Sequence, residues 1–196
     1  MPRRNTRLSK DGTDFHIYNR GLNRMIVFVD DLDRRAFESM LKRRLSPSDS
    51  SKGKKFVGLI ELIALTPLDN HFHMILRELV PGSLEPFMQS LMTSYVRYFN
   101  KRHGRSGKLF AGEYRRVPIL DETALKWELA YVLDNHPTEG TAYRFSSHRF
   151  MVGEENPDWI NWQAALDAFG GLDDYLVYLQ RRNERKLLNH EFGFDR

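Results

Sequence analysis

His71-Phe72-His73-Met74-Ile75-Leu76 decides the reading of the chain. The turn signal Pro67-Leu68-Asp69 precedes it and Glu78 closes it, so residues 70–78 read as a strand. On a strand, residues two apart project from the same face. His71 and His73 then stand side by side, and Phe72 turns the other way into a core. Such a pair can hold a metal ion, and it can equally be two surface or hydrogen-bonding histidines.

Working outward, residues 14–20 alternate as a strand, and Gly21-Leu22-Asn23 turns the chain. Val27 to Val29 is a short extended piece. Asp30 or Asp31 can cap a helix to about Leu45, with Phe37, Met40, Leu41 and Leu45 on one face. Residues 46–55 are a polar loop, and 56–65 a strand. Residues 84–102 repeat apolar side chains at helical spacing: Leu84, Phe87, Met88, Leu91, Tyr95 and Tyr98. Residues 109–120 are partly extended. Asp121 caps a helix to about Asn135, with Leu125, Leu129 and Val132 inward. The order β-α-β-β-α-β followed by a helix predicts an α+β, ferredoxin-like antiparallel sheet with helices on one face. A helix carrying Tyr131 is added, and then a helical C-terminal extension. Residues 1–140 form the predicted domain. Residues 141–196 pack on it, with Trp159, Trp162, Leu166 and Phe169 in a short helix and 173–189 in a terminal one.

The chain has 196 residues, 41% of them hydrophobic, which is enough for one core. No run approaches the roughly 18 apolar residues of a membrane helix. Met-Pro-Arg-Arg at the start, with no apolar region behind it, does not read as a secretory signal. The absence of cysteine excludes disulfides and thiolate zinc sites and fits a cytoplasmic protein.

Net charge is only +4, but it is unevenly spread. Arg97, Lys101, Arg102, Arg105, Lys108, Arg115 and Arg116 face a single acid, Glu113, within residues 97–116. Arg3, Arg4, Arg7 and Lys10 form a second run. A basic stripe is the footprint of a polyanion or simply a solvated face. Tyr95, Tyr98, Phe99, Phe110 and Tyr114 lie within the stripe and favour nucleic acid, because unpaired bases stack on such rings. Tyr114 is the best placed for stacking.

Tyr131 and Asn135 are four apart on the predicted helix and share a face. A hydroxyl and an oxygen ligand are thereby set one turn apart. Amphipathic packing of Tyr131 and helix termination by Asn135 before Pro137 account for the same pair.

Taken together, these segments resemble the REP-associated branch of the HUH single-tyrosine transposases. The resemblance rests on Asn70 with His71-Phe72-His73 and on the long aromatic helix through Ser94-Tyr95-Val96-Arg97-Tyr98-Phe99-Asn100-Lys101-Arg102-His103-Gly104. It rests also on Leu109-Phe110-Ala111-Gly112, on the Tyr131 helix, and on Phe15-His16-Ile17-Tyr18-Asn19-Arg20-Gly21 as first strand. It spans about residues 14–140, in order. It implies a metal-dependent enzyme that nicks single-stranded DNA beside a REP-like hairpin and transfers the strand through a 5′-phosphotyrosine link. Tyr131 would be the nucleophile, and His71, His73 and Asn135 would hold Mg²⁺ or Mn²⁺. A monomer or homodimer would do this. Two departures from the family pattern stand out. Asp69-Asn70 replaces Pro-Asn, and His136 separates Asn135 from Pro137, offering a second candidate ligand. A non-catalytic nucleic-acid-binding module and a metal-dependent phosphodiesterase using activated water are the other readings.

Overall fold

A computed structural model describes residues 12–53, 55–134, 144–153 and 155–191, side chains beyond 184 and that of residue 183 excepted. Strands β1 (Thr13–Arg20), β2 (Ile60–Leu68), β3 (His71–Glu78) and β4 (Arg115–Pro118) form one sheet in the order β2-β3-β1-β4, with all pairings antiparallel. Helix α1 (Asp31–Leu45) follows β1 and helix α2 (Leu84–Arg102) follows β3. This is the ferredoxin-like arrangement. Then come α3 (Glu122–Leu133), a short α4 (His148–Val152), α5 (Trp162–Phe169) and α6 (Leu172–Glu191).

The helix starts follow from local chemistry. The Asp30 carboxylate accepts hydrogen bonds from Leu32 N and Asp33 N, and Asp121 accepts one from Ala124 N. Each satisfies amide groups that a helix's first turn leaves without partners.

Helices α1 and α2 cover one face. Phe15, Ile17, Phe72, Met74 and Leu76 of the sheet meet Phe37, Leu41, Phe87, Leu91 and Tyr95 there. Phe72 is fully buried, with Phe37 and Phe110 at ring separations of 5.3 and 5.9 Å. Of the residues predicted on the inner face of α2, Tyr98 is only half-buried, and Phe99 takes the buried place.

Helices α3, α5 and α6 lie on the opposite face. Leu129, Ala130, Val132 and Leu133 of α3 pack with Ile63, Ala64, Ile75, Leu166, Phe169 and Tyr175. The segment after residue 144 also caps the outer edge of β2. Ser147 N donates to Leu65 O, Leu65 N donates to Ser147 Oγ, and Asn161 N donates to Leu62 O. An edge strand's free amide groups are thereby occupied. The predicted boundary at residue 140 lies outside the described residues.

Two strand boundaries differ from the sequence reading. Pro67 and Leu68, expected in a turn, remain in β2 opposite Phe72 and His71, and Asp69-Asn70 alone makes the hairpin. A proline is tolerated there because β2 is the outermost strand and its amide edge needs no ladder partner. At its start β2 begins at Ile60 rather than Phe56. Of residues 109–120, only 115–118 pair as a strand with β1, and Phe110 adds an isolated bridge to Gly21.

Replacing Phe72 by alanine is expected to lower unfolding free energy by about 3–5 kcal/mol, because it opens a void among buried rings. Denaturant unfolding measures it. A loss under 1 kcal/mol would show that β3 is not anchored through this ring.

Candidate functional site

The register of the sheet assembles the site. On the face away from α1 and α2, Arg115, Tyr18, His73 and Thr66 stand side by side on β4, β1, β3 and β2. The neighbouring row brings Val117, His16 and Ile75 together, and Arg20 lies opposite His71. The same-face expectation for His71 and His73 therefore holds, with ring centroids 5.0 Å apart.

Helix α3 closes over them. The Tyr131 ring stands perpendicular to that of His73 at 5.2 Å and edge-on to that of His16 at 5.8 Å. Trp127, one turn earlier, stacks on Tyr131 at 5.7 Å with planes 3° apart. The Arg182 guanidinium of α6 sits 5.9 Å from the Trp127 ring and 6.0 Å from the Tyr131 ring. His16, His71, His73, Trp127 and Tyr131 border an open cavity of about 920 Å³, whose rim adds Asn19, Tyr114 and the turn 111–113, whereas Arg182 lies outside that lining and pairs with Asp134.

A polar chain runs beneath the cavity. His16 Nε2 and His73 Nδ1 are 2.8 Å apart in a hydrogen bond, and Glu128 Oε2 approaches His16 Nδ1 to 2.8 Å. The second approach is at ion-pair distance but lacks the alignment of a hydrogen bond. His71 Nδ1 meets Asn70 Oδ1 at 2.6 Å. An amide oxygen only accepts, so the His71 proton sits on Nδ1 and its Nε2 carries a lone pair.

Burial, with the neighbouring His16, His71 and Arg20, pushes the His73 pKa down from 6.5 to about 3. Burial and Arg20 lower that of His71 as well. Both rings are therefore neutral at physiological pH, the form a metal ion needs. Two neutral imidazoles with their Nδ1 atoms engaged by neighbours fit a divalent ion such as Mn²⁺ or Mg²⁺, although nitrogen donors suit manganese better. Among the described residues, no group of three His, Asp or Glu has metal-holding geometry, so the pair needs a further ligand. Asn135 and His136, the candidates for it, lie outside the described residues, as do Arg3, Arg4, Arg7 and Lys10.

The basic stripe divides. Arg115 and Tyr114 border the cavity. Arg116 lies opposite Ile17 and leans over the Phe15 ring at 5.1 Å, so it belongs to the other side of the sheet. Arg97, Lys101 and Lys108 are exposed away from the cavity lining. Arg105 is half-buried, with its guanidinium 5.7 Å from the Phe99 ring. Arg102 has partners within the protein. It makes a bidentate pair with Asp30 at 2.6 and 2.8 Å and also bonds Asp33, a fully buried carboxylate shared with His103. Its hydrogen bonds hold the Asp30 pKa down to about 2. This guanidinium ties α2 to the start of α1.

Sequence reasoning missed His16, Glu128, Trp127 and Arg20 as members of the site. A signal existed for two of them: His16 and Tyr18 repeat the spacing of His71 and His73, and Trp127 lies at helical spacing from Tyr131.

No protein-family model matches the chain, and no curated protein matches it. Among solved structures it is similar to a REP-associated tyrosine transposase bound to a REP hairpin. Identity is 17% and the TM-score 0.49, over 82% of this chain and 92% of that one.

Two outcomes are expected. If the cavity receives a nucleic-acid strand, Arg115→Ala weakens its binding and reduces the log–log salt slope by roughly 0.7, the value of one single-strand phosphate contact. Arg102→Ala lowers the melting temperature and leaves that slope unchanged; a reduced slope with unchanged melting would return Arg102 to the DNA surface.

His73 also makes folding acid-sensitive in metal-free buffer. Its folded pKa, about 3, lies below the unfolded 6.5, so the unfolded chain binds the proton first. The associated stability is complete above pH 6.5 and is lost as pH falls toward 3, with a slope of at most about 1.4 kcal/mol per pH unit. His73→Gln should flatten this part of the stability–pH curve. Parallel curves for the two proteins would contradict the shift.

Proposed function

We propose that the chain is a metal-dependent enzyme that nicks single-stranded DNA and transfers the strand, with Tyr131 as nucleophile. The observation that carries this reading is the convergence of Tyr131, on α3, over two neutral same-face imidazoles at a cavity edged by Arg20 and Arg115. The sequence motifs support it independently, and they extend the ligand set to Asn135 and the substrate to strands bearing a REP-like hairpin.

The residues divide the work. Arg115 and Arg20 attract and seat the phosphodiester backbone. His71, His73 and Asn135 would hold Mg²⁺ or Mn²⁺, which when bound would supply neutralisation of the phosphate charge and fix its orientation. Tyr131 Oη then attacks phosphorus. A P–Oη bond forms and the P–O3′ bond breaks, leaving a free 3′-hydroxyl that takes up a proton as the phenol loses one. One ester replaces another, so the reverse attack by a 3′-hydroxyl rejoins DNA without ATP. Trp127 limits the rotation of the Tyr131 ring by stacking on it.

Tyr131→Phe removes one oxygen and keeps the ring contacts. With a labelled hairpin-tailed strand and Mn²⁺, the unsubstituted protein is expected to form a covalent protein–DNA adduct. The variant should form none, while its DNA affinity and melting temperature stay close to those of the unsubstituted protein. An adduct with the variant refutes the assignment, and cutting without any adduct indicates an activated-water hydrolase.

A further inference from the structure

Trp127 lines the cavity yet leaves 53% of its surface exposed. We propose that its outer face is a stacking platform for the unpaired base next to the phosphate that Tyr131 attacks. This deepens the strand-nicking reading and rests on it.

An indole has two faces, and the Tyr131 ring takes one of them, with planes 3° apart. The Arg182 guanidinium is nearly equidistant from the two rings, at 5.9 and 6.0 Å. A cation over the outer indole face would stand much nearer Trp127 than Tyr131. Arg182 therefore flanks the stack and leaves the outer face open. Val117, 41% exposed, adds apolar surface to the same lining.

The lining changes character along the strands. Arg115 stands in the row of Tyr18 and His73, and Val117 in the row of His16, two residues farther along β4. Arg20, opposite His71, lies on the side away from Val117. Glu128, next to Trp127 in sequence, approaches His16 to 2.8 Å, so this part of α3 lies over the row of Val117. One end of the cavity thus offers guanidinium groups, and the other an apolar wall of Val117 and Trp127. The step between the rows is roughly 7 Å, two residues of strand. A nucleotide has the same two ends: an anionic phosphate and, one sugar away, a flat base. A base paired in a duplex has both faces covered by its neighbours, so an unpaired base is the form the indole can take up. Because Trp127 and Tyr131 are already in contact, a base stacked on the outer face keeps its own phosphate close to the Tyr131 hydroxyl.

Equilibrium binding of the full chain in metal-free buffer tests the platform. The probes are a short oligothymidylate and an abasic strand of equal length, which carries the same phosphates without bases. Trp127→Ala should weaken oligothymidylate binding roughly 5–150-fold, the range for loss of one aromatic–base stack, and leave the affinity for the abasic strand unchanged. Trp127→Phe keeps a ring and should retain most of the oligothymidylate affinity. A purely structural role, in which Trp127 only steadies Tyr131, would not distinguish a strand with bases from one without. Equal losses on both strands, or no loss on either, overturn the proposal. Adduct formation between the unsubstituted protein and the labelled hairpin-tailed strand is read in parallel. Oligothymidylate binding that depends on Trp127, without any adduct, overturns the nicking reading and leaves the stacking face in place. Failure of the unsubstituted protein to bind either strand overturns both.

Discussion

Strand β3 has no freedom of register, and the site depends on that. It is paired on both edges, to β2 and to β1, and both of its faces are committed. Phe72 fills an aromatic cluster on one side, while His71 and His73 meet polar partners on the other. A slip of one residue would drive two imidazoles among Phe37 and Phe110 and leave a phenyl ring over the cavity. Imidazoles buried without hydrogen-bond partners cost several times what such a bond contributes when made. The core and the candidate metal ligands are therefore fixed by one choice.

The face that carries the site is divided along the strands. Toward Ile63, Ala64 and Ile75 it is apolar and takes the weight of α3, α5 and α6. Toward His71, His73, His16 and Tyr18 it is polar and open. The divide falls inside β3 itself, between His73 and Ile75. Thr66 sits at it and donates to Val132 O near the end of α3, so the helix is tied down where it leaves the apolar half.

What was legible in the sequence was local. Alternation in 71–76 placed the histidines, helical spacing placed α1 to α3, and aspartates marked the starts of α1 and α3. What was not legible depended on pairing across long separations. His16 gains meaning only when β1 lies antiparallel to β3, 57 residues away. Arg102 looked like part of a DNA-facing stripe because its partners, Asp30 and Asp33, are some seventy residues earlier. Pro67 looked like a turn because nothing in its own neighbourhood shows that β2 lies at the edge of the sheet. The C-terminal helices were visible as elements, yet that Arg182 of α6 lies beside Trp127 and Tyr131 could not be read before α6 was placed.

Helix α3 shows why anchoring and chemistry need not compete. Leu129, Val132 and Leu133 turn toward the apolar half of the sheet, and the helix cannot rotate without exposing them. With that stripe fixed, the 3.6-residue period sends Trp127, Glu128 and Tyr131 toward the polar half. Their targets are already in place: His73 for the Tyr131 ring, His16 for the Glu128 carboxylate. A substitution that loosened Leu129 would therefore disturb both contacts together, even though leucine touches no reacting atom. The site is held less by its own polar bonds than by the greasy stripe one face away, and charge reaches it from Arg20 of β1 and Arg115 of β4, strands the same packing brings alongside.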